Sequence, residues 1–252
     1  MKISKRILSV ILALAVLLVS LPLTMMATAA DLPDALAGLA EGKTLLSYDF
    51  SEYDAGSLPD GFIYGASSAE EGPKLSWGYG NPDGGTAGSW ASIQAVGGKN
   101  YLVYKSALAD SVLLAPAINE TNYIYEATFV MVTANSNVGV ANLAWGDTIA
   151  DVKGAQWIGV RNDSDPVLWG KGTSGITSVT GFSTYRPAAG DTITMKLISY
   201  EGTNYYFING EYVTSIAQKT SGDGTGGRVG FYTYGGTLNI SSLSVKKIGQ
   251  PE

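Results

Sequence analysis

Between Ala155 and Gly170 the chain reads AQWIGVRNDSDPVLWG, which gathers Trp157, Arg161, Asn162, Asp163 and Trp169 into a short span. Sugars suit that mixture: their C–H faces lie on an aromatic plane, while a few polar groups bind hydroxyls and fix orientation. If the span is strand, turn and strand, Trp157, Gly159 and Arg161 share one side, and Ile158 and Val160 share the other. The aliphatic pair reads as the core side, and residues 162–166 read as the turn. Whether Trp169 joins Trp157 depends on register, because a slip of one residue turns every side chain over. The plainer reading has the tryptophans filling core or covering Gly159, with Arg161 paired to a nearby acid.

Three other groups could do chemistry. Trp77, Tyr79 and Trp90 surround a Gly-rich stretch, where aromatics either line a cleft or pin their own loop. Glu126 sits inside an apolar run, where burial would raise its pKa toward general-acid duty. No second carboxylate is identifiable at the spacing a glycosidase needs, and a cross-strand pair with Lys196 or Arg161 is the plainer explanation of Glu126. Asp49, Glu52 and Asp54 offer hard oxygens for a structural calcium, although a site normally needs six or more oxygens, which this loop alone does not show, and alternating acids also make a solvated turn. No other cofactor is expected.

The absent residue types narrow the chemistry. With no histidine there is no Ser-His-Asp triad and no histidine metal ligand. With no cysteine, no disulfide staples the fold, so stability must come from an apolar core. Residues 1–30 read as a signal peptide: Lys2, Lys5 and Arg6, then an apolar run from Ile7, then the small residues Ala27 to Ala30. Residues 31–252 are then one exported domain, expected to be extracellular, with no membrane insertion after cleavage. A cysteine-free exported chain suits a bacterium. The net charge of −6 makes nucleic acid and anionic membranes unlike partners.

The elements that must position these residues are strands. Thirty-two glycines and fifteen tyrosines already lean toward strands joined by tight turns. Residues 31–42 could make one short helix with Leu32, Leu36 and Leu39 on a face. Beyond it the expected strands fall at 44–50, 91–106 (a hairpin turning at Gly97-Gly98), 111–118, 122–133, 137–147, 155–162, 191–216, 227–234 and 238–248. Ile193, Met195 and Leu197 alternate with Thr192, Thr194 and Lys196, the signature of a half-buried strand. Asn209-Gly210 is a strong two-residue hairpin signal. The result is an all-β, two-sheet antiparallel sandwich.

The order of these segments resembles the concanavalin A-like lectin/glucanase superfamily, the laminin G-like jelly rolls. YDFSEYDAGSLPDGF (48–62) resembles the opening strand and its Gly-x-Leu-Pro-x-Gly loop, and YIYEATFVMV (123–132) resembles a central strand. GDTITMKLISYEGTNYYFINGEYV (190–213) and GRVGFYTYGGTLNISSLSV (227–245) resemble the paired and closing strands. The resemblance implies a jelly roll and a glycan-related role. It does not carry over a catalytic site. The Glu-x-Asp-x-x-Glu of laminarinase-type hydrolases is absent, the histidine of jelly-roll lyases is absent, and Ser241-Ser242 stand where calcium-binding relatives often carry Asp-Asn. The expectation is a secreted, non-catalytic carbohydrate-binding protein recognising a polysaccharide or other glycan. The rivals are a glycoside hydrolase with an atypical carboxylate pair and an adhesive surface protein that binds a protein partner.

Overall fold

In the computed structural model the described residues are 32–66, 91–105, 110–133, 136–144, 155–170, 177–179, 186–218 and 227–249. Residues 1–30, read above as a signal peptide, lie outside them, as do Trp77, Tyr79 and Trp90.

In chain order the strands are β1 (Ala40–Asp49), β2 (Ile63–Ala66), β3 (Ala91–Val96), β4 (Lys99–Lys105), β5 (Asp110–Leu114), β6 (Tyr123–Met131), β7 (Val138–Ala144) and β8 (Gln156–Val160). They continue with β9 (Val167–Trp169), β10 (Thr177–Ser178), β11 (Thr192–Tyr200), β12 (Thr203–Ile208), β13 (Glu211–Ala217), β14 (Gly227–Tyr234) and β15 (Thr237–Gly249). The larger sheet runs β13-β12-β11-β6-β15-β4-β3, with β1 also on β15. The smaller sheet runs β10-β9-β8-β7-β14-β5-β2. Every pairing is antiparallel. β15 is the spine of the larger sheet: β6 lies along one edge, and the other edge is shared by β4 at Thr237–Ile240 and β1 at Ser242–Gly249.

The two-residue period sets the core. Ile193, Met195 and Leu197 are fully buried while Thr194 and Lys196 between them, and Ile198 after them, are partly exposed. Phe129 of the larger sheet meets Phe231 of the smaller edge to face, with centroids 6.3 Å apart. The hairpin signal at Asn209-Gly210 is realised: φ is +50° and +88°, the pair of positive values that a type I′ turn requires. The helix expected over 31–42 reduces to a 3-10 turn at Asp34–Leu36, and β1 begins at Ala40. Gly38 ends the turn at φ +78°, and the chain at Gly42 then runs close against Lys247 and Gly249 of β15. Strand pairing there outweighs the leucine spacing.

Tyrosines of the larger sheet span the core to the smaller one. The Tyr125 hydroxyl donates to the Gly230 carbonyl at 2.8 Å, and the Tyr104 hydroxyl is 2.6 Å from Ser111 Oγ. Burial pushes the Tyr123, Tyr125 and Tyr206 hydroxyls above their ordinary value. The folded state therefore keeps protons that an unfolded chain releases near pH ~10. The stabilisation is complete below that pH and is lost as pH rises beyond it. Urea midpoints should stay level from about pH 7 to about pH 9 and fall above about pH 10, with tyrosinate absorbance rising only as the chain unfolds. Tyrosines that all ionise at the ordinary value in a chain still folded would contradict this burial.

Candidate functional site

The register of the smaller sheet settles the question raised by the 155–170 span. Ile158 and Val160 face the main core, so Trp157, Gly159 and Arg161 face outward from the sandwich. Trp157 lies directly opposite Trp169 on β9 and opposite Ala141 on β7, so both tryptophans share the outer face. Across β7, Tyr232 of β14 is opposite Gly139, which is opposite Gly159. Small residues on β7 let rings from β8 and β14 meet over it. Trp157 and Tyr232 stack with centroids 3.8 Å apart and planes 7° from parallel.

This outer layer is a core of its own. Val112, Leu114, Ala141, Ala155, Trp157, Val167 and Tyr232 are buried together, with Ile63 and a partly buried Trp169 packed against them. Trp157 is only 2% exposed, so its face is given to Tyr232. Among the described residues of this face, the aromatic surface that remains open comes from a partly buried Trp169 and from Tyr234, which is 47% exposed.

A polar rim bounds one end of the layer. Tyr234 donates its backbone N–H to the Asn137 carbonyl at 2.8 Å, and one step beyond the Val138–Val160 pair the register brings Asn137 beside Arg161. Arg161 grips Asp163 through two hydrogen bonds, one from Nε to Oδ1 and one of 2.8 Å from Nη2 to Oδ2. The guanidinium holds the Asp163 carboxyl below the usual carboxylate range, chiefly by hydrogen bonding. Arg186 is 4.0 Å from Asp165. Two amide oxygens here, Asn137 Oδ1 and Asn162 Oδ1, are buried with no hydrogen-bond partner. Buried acceptors are normally satisfied, so both are places where a donor is wanted.

The structure sets Trp157 beside Trp169 on the outer face with Tyr232 stacked on Trp157, and at the other end of β8 it pairs Arg161 with Asp163 near Asn137 and Tyr234; Trp157, 2% exposed, fills the layer as the plainer reading expects and offers no open platform. The signal for the two tyrosines was present in GRVGFYTY, where Gly230, Tyr232 and Tyr234 fall on one side and Val229 and Phe231 on the other.

Glu126 does not join the site, and its expected burial is corrected. Tyr125 and Ala127 point into the core, so Glu126 faces solvent on the far side of the larger sheet. It pairs across strands with Lys196, Nζ to Oε2 2.9 Å, with its side chain 43% exposed. A paired, half-exposed carboxylate lacks the apolar enclosure that general-acid duty requires. The calcium candidates also separate. The Asp49 carboxylate accepts from the backbone N–H and hydroxyl of Ser51, capping the 3-10 turn Phe50–Glu52, while Glu52 and Asp54 are exposed. Among the described residues no group of three acidic side chains could hold a metal ion.

Comparison with solved structures places this architecture. A Bacillus subtilis protein of unknown function with a galectin-like fold aligns with a TM-score of 0.51 at 13% identity, over 84% of this chain and 100% of its own. An endo-β-1,3-glucanase from Pyrococcus furiosus aligns with a TM-score of 0.52 at 9% identity, over 85% of this chain and 99% of its own. The fold is a two-sheet antiparallel jelly roll. Domain 4 of AbnA, a GH43 extracellular arabinanase from Geobacillus stearothermophilus solved with arabinotriose, aligns with a TM-score of 0.49 at 13% identity, over 84% of this chain and 96% of its own. No family model matches the chain, and no curated protein matches it in sequence.

The glycines beneath the outer layer of this jelly roll give a direct test. A Cβ on Gly139 would lie 2.0 Å from the Ile158 carbonyl oxygen, a backbone atom that cannot yield. A Cβ on Gly159 would rest 3.5 Å from the Tyr232 ring, in ordinary contact. Gly139→Ala should destabilise by about 3 kcal/mol or fail to fold, whereas Gly159→Ala should cost less than about 1 kcal/mol. Chemical denaturation monitored by tryptophan fluorescence separates the two.

Proposed function

We propose that this protein is an exported glycan-binding protein that holds a polysaccharide against the outer face of the smaller sheet. The carrying observation is an outward-facing aromatic layer that leaves part of Trp169 open, on the same face of the smaller sheet as the Arg161–Asp163 pair. Sugar hydroxyls suit the polar side chains of Arg161 and Asp163, and the sugar's C–H face suits the open parts of Trp169 and Tyr234. The arrangement supports binding over cleavage, because the one carboxylate singled out for acid catalysis lies on the opposite side of the sandwich. The shared jelly-roll fold is in keeping with this reading, although a fold alone does not choose a function. Residues 1–30 serve export in the same reading.

The charges favour a neutral polysaccharide over a polyanion. Arg161 is already held by Asp163, Arg186 lies near Asp165, and the chain carries a net charge of −6. Binding should therefore change little with salt.

Calorimetry or affinity electrophoresis on neutral and uronate-containing polysaccharides tests this. Trp169→Ala should weaken binding by about tenfold or more, from the loss of roughly 1.5–3 kcal/mol of aromatic contact. Glu126→Gln should leave it unchanged. Trp157→Ala is a poor probe, since it opens a cavity beside Tyr232. Affinity should also be level from about pH 5 to about pH 8. The chain has no histidine, and the lowered pKa of Asp163 keeps it ionised throughout that window, with the charge lost only at more acid pH. Absence of binding across a broad neutral-glycan array, with the protein folded, would remove this reading.

A further inference from the structure

The tip of the β12–β13 hairpin is Asn209-Gly210, the one Asn-Gly pair in the chain. A glycine after an asparagine leaves its backbone nitrogen open to the asparagine side chain, because it has no Cβ in the way. Gly210 is exposed and Asn209 is half-buried, so solvent reaches the turn. Ile208 and Glu211 pair directly across it, and behind them Phe207 is opposite Tyr212. The two rings pack edge to face with centroids 5.5 Å apart and close the hairpin below its tip.

The Asn209 side chain takes the place of a backbone group here. A hydrogen-bonded antiparallel pair exchanges two N–H···O bonds. One step past the Met195–Ile208 pair, Asn209 donates its backbone N–H to the Thr194 carbonyl at 2.7 Å. At φ +50° the chain has already turned, and the return bond comes to the side chain: the Thr194 N–H donates to Asn209 Oδ1 at 2.9 Å. The amide is thereby held toward β11.

We propose that Asn209 is a deamidation site gated by this hairpin, shielded while the hairpin is closed and reactive when it opens. The reaction needs only water. The Gly210 backbone nitrogen gives its proton to solvent and attacks Asn209 Cγ. The new N–Cγ bond forms, the Cγ–Nδ2 bond breaks, and Nδ2 takes a proton from solvent and leaves as ammonia. Water then adds to either carbonyl of the resulting succinimide and opens the ring, giving aspartate or isoaspartate. Ring closure requires the side chain to swing from Thr194 onto the Gly210 nitrogen. That motion breaks the Thr194 bond and rotates the turn, so the closed hairpin opposes it. The two products differ in what the fold accepts. Aspartate keeps an oxygen for the Thr194 N–H and tolerates positive φ. Isoaspartate routes the backbone through the side-chain carbon, lengthens it and removes the rung, so the hairpin no longer closes in register. The site is on the larger sheet, and its chemistry does not depend on glycan binding.

The experiment is peptide mapping by mass spectrometry, with isoaspartate distinguished by electron-transfer fragmentation, over time in mildly alkaline buffer. The chain is compared folded and in urea. Asn209 should deamidate faster than any other asparagine in urea, and about tenfold or more slowly in the folded chain, since only the locally opened fraction reacts. Tyr212→Ala removes the ring packed on Phe207 and should raise the folded-state rate several-fold. Asn209→Asp should fold with a urea midpoint close to that of the parent. Equal rates for the folded chain and the chain in urea would overturn the gating, and this comparison stands whether or not the alanine variant folds. Absence of Asn209 deamidation in urea would overturn the site itself. A folded Tyr212→Ala chain that exchanges the Thr194 amide hydrogen faster yet deamidates no faster would also overturn the proposal.

Discussion

The smaller sheet is apolar on both sides, and most of what distinguishes this molecule follows from that. Its inner face buries Val138, Val140, Ile158, Val160 and Phe231 against the larger sheet. Its outer face buries Val112, Leu114, Trp157 and Tyr232 in a second layer. Antiparallel sheets usually leave one face to water and read as clean alternation. Here β8 is buried at every position from Gln156 to Val160. The outer layer packs closely because Gly139 and Ala141 lie beneath the rings, so that Trp157 and Tyr232 stack over a stretch of β7 that presents only a hydrogen and a methyl on that face. Ring size on β8 and β14 and residue size on β7 are therefore one constraint.

The two sheets are also held at a set spacing by polar groups rather than by apolar contact alone. Tyr125 reaches Gly230, Tyr104 reaches Ser111, and the Gln156–Asn204–Asn142 amides tie β8 and β7 to β12 and β13. Each such bond is worth only about 1 kcal/mol net, but leaving one of its buried partners unpaired costs about 1–3 kcal/mol. Such bonds specify geometry more than they add stability. They penalise any sliding of one sheet on the other, and sliding would move β8, the strand that carries Trp157 on its other side.

What the sequence made legible is what depends on near neighbours. Asn209-Gly210 and Gly97-Gly98 announce their turns because few residues accept positive φ, and Ile193, Met195 and Leu197 announce a buried stripe by alternation. The outward side of Trp157 and Arg161 follows from Ile158 and Val160. The rest needed distant partners. That Trp169 meets Trp157 depends on how β8 and β9 pair, which the two-residue period leaves open. Tyr232 is far along the chain from Trp157, and nothing local joins them. Glu126 was misleading because Ile124 and Val130, both off the main core, blur the alternation that puts the acid on the solvent side. The leucine spacing near the start was overruled by pairing with β15.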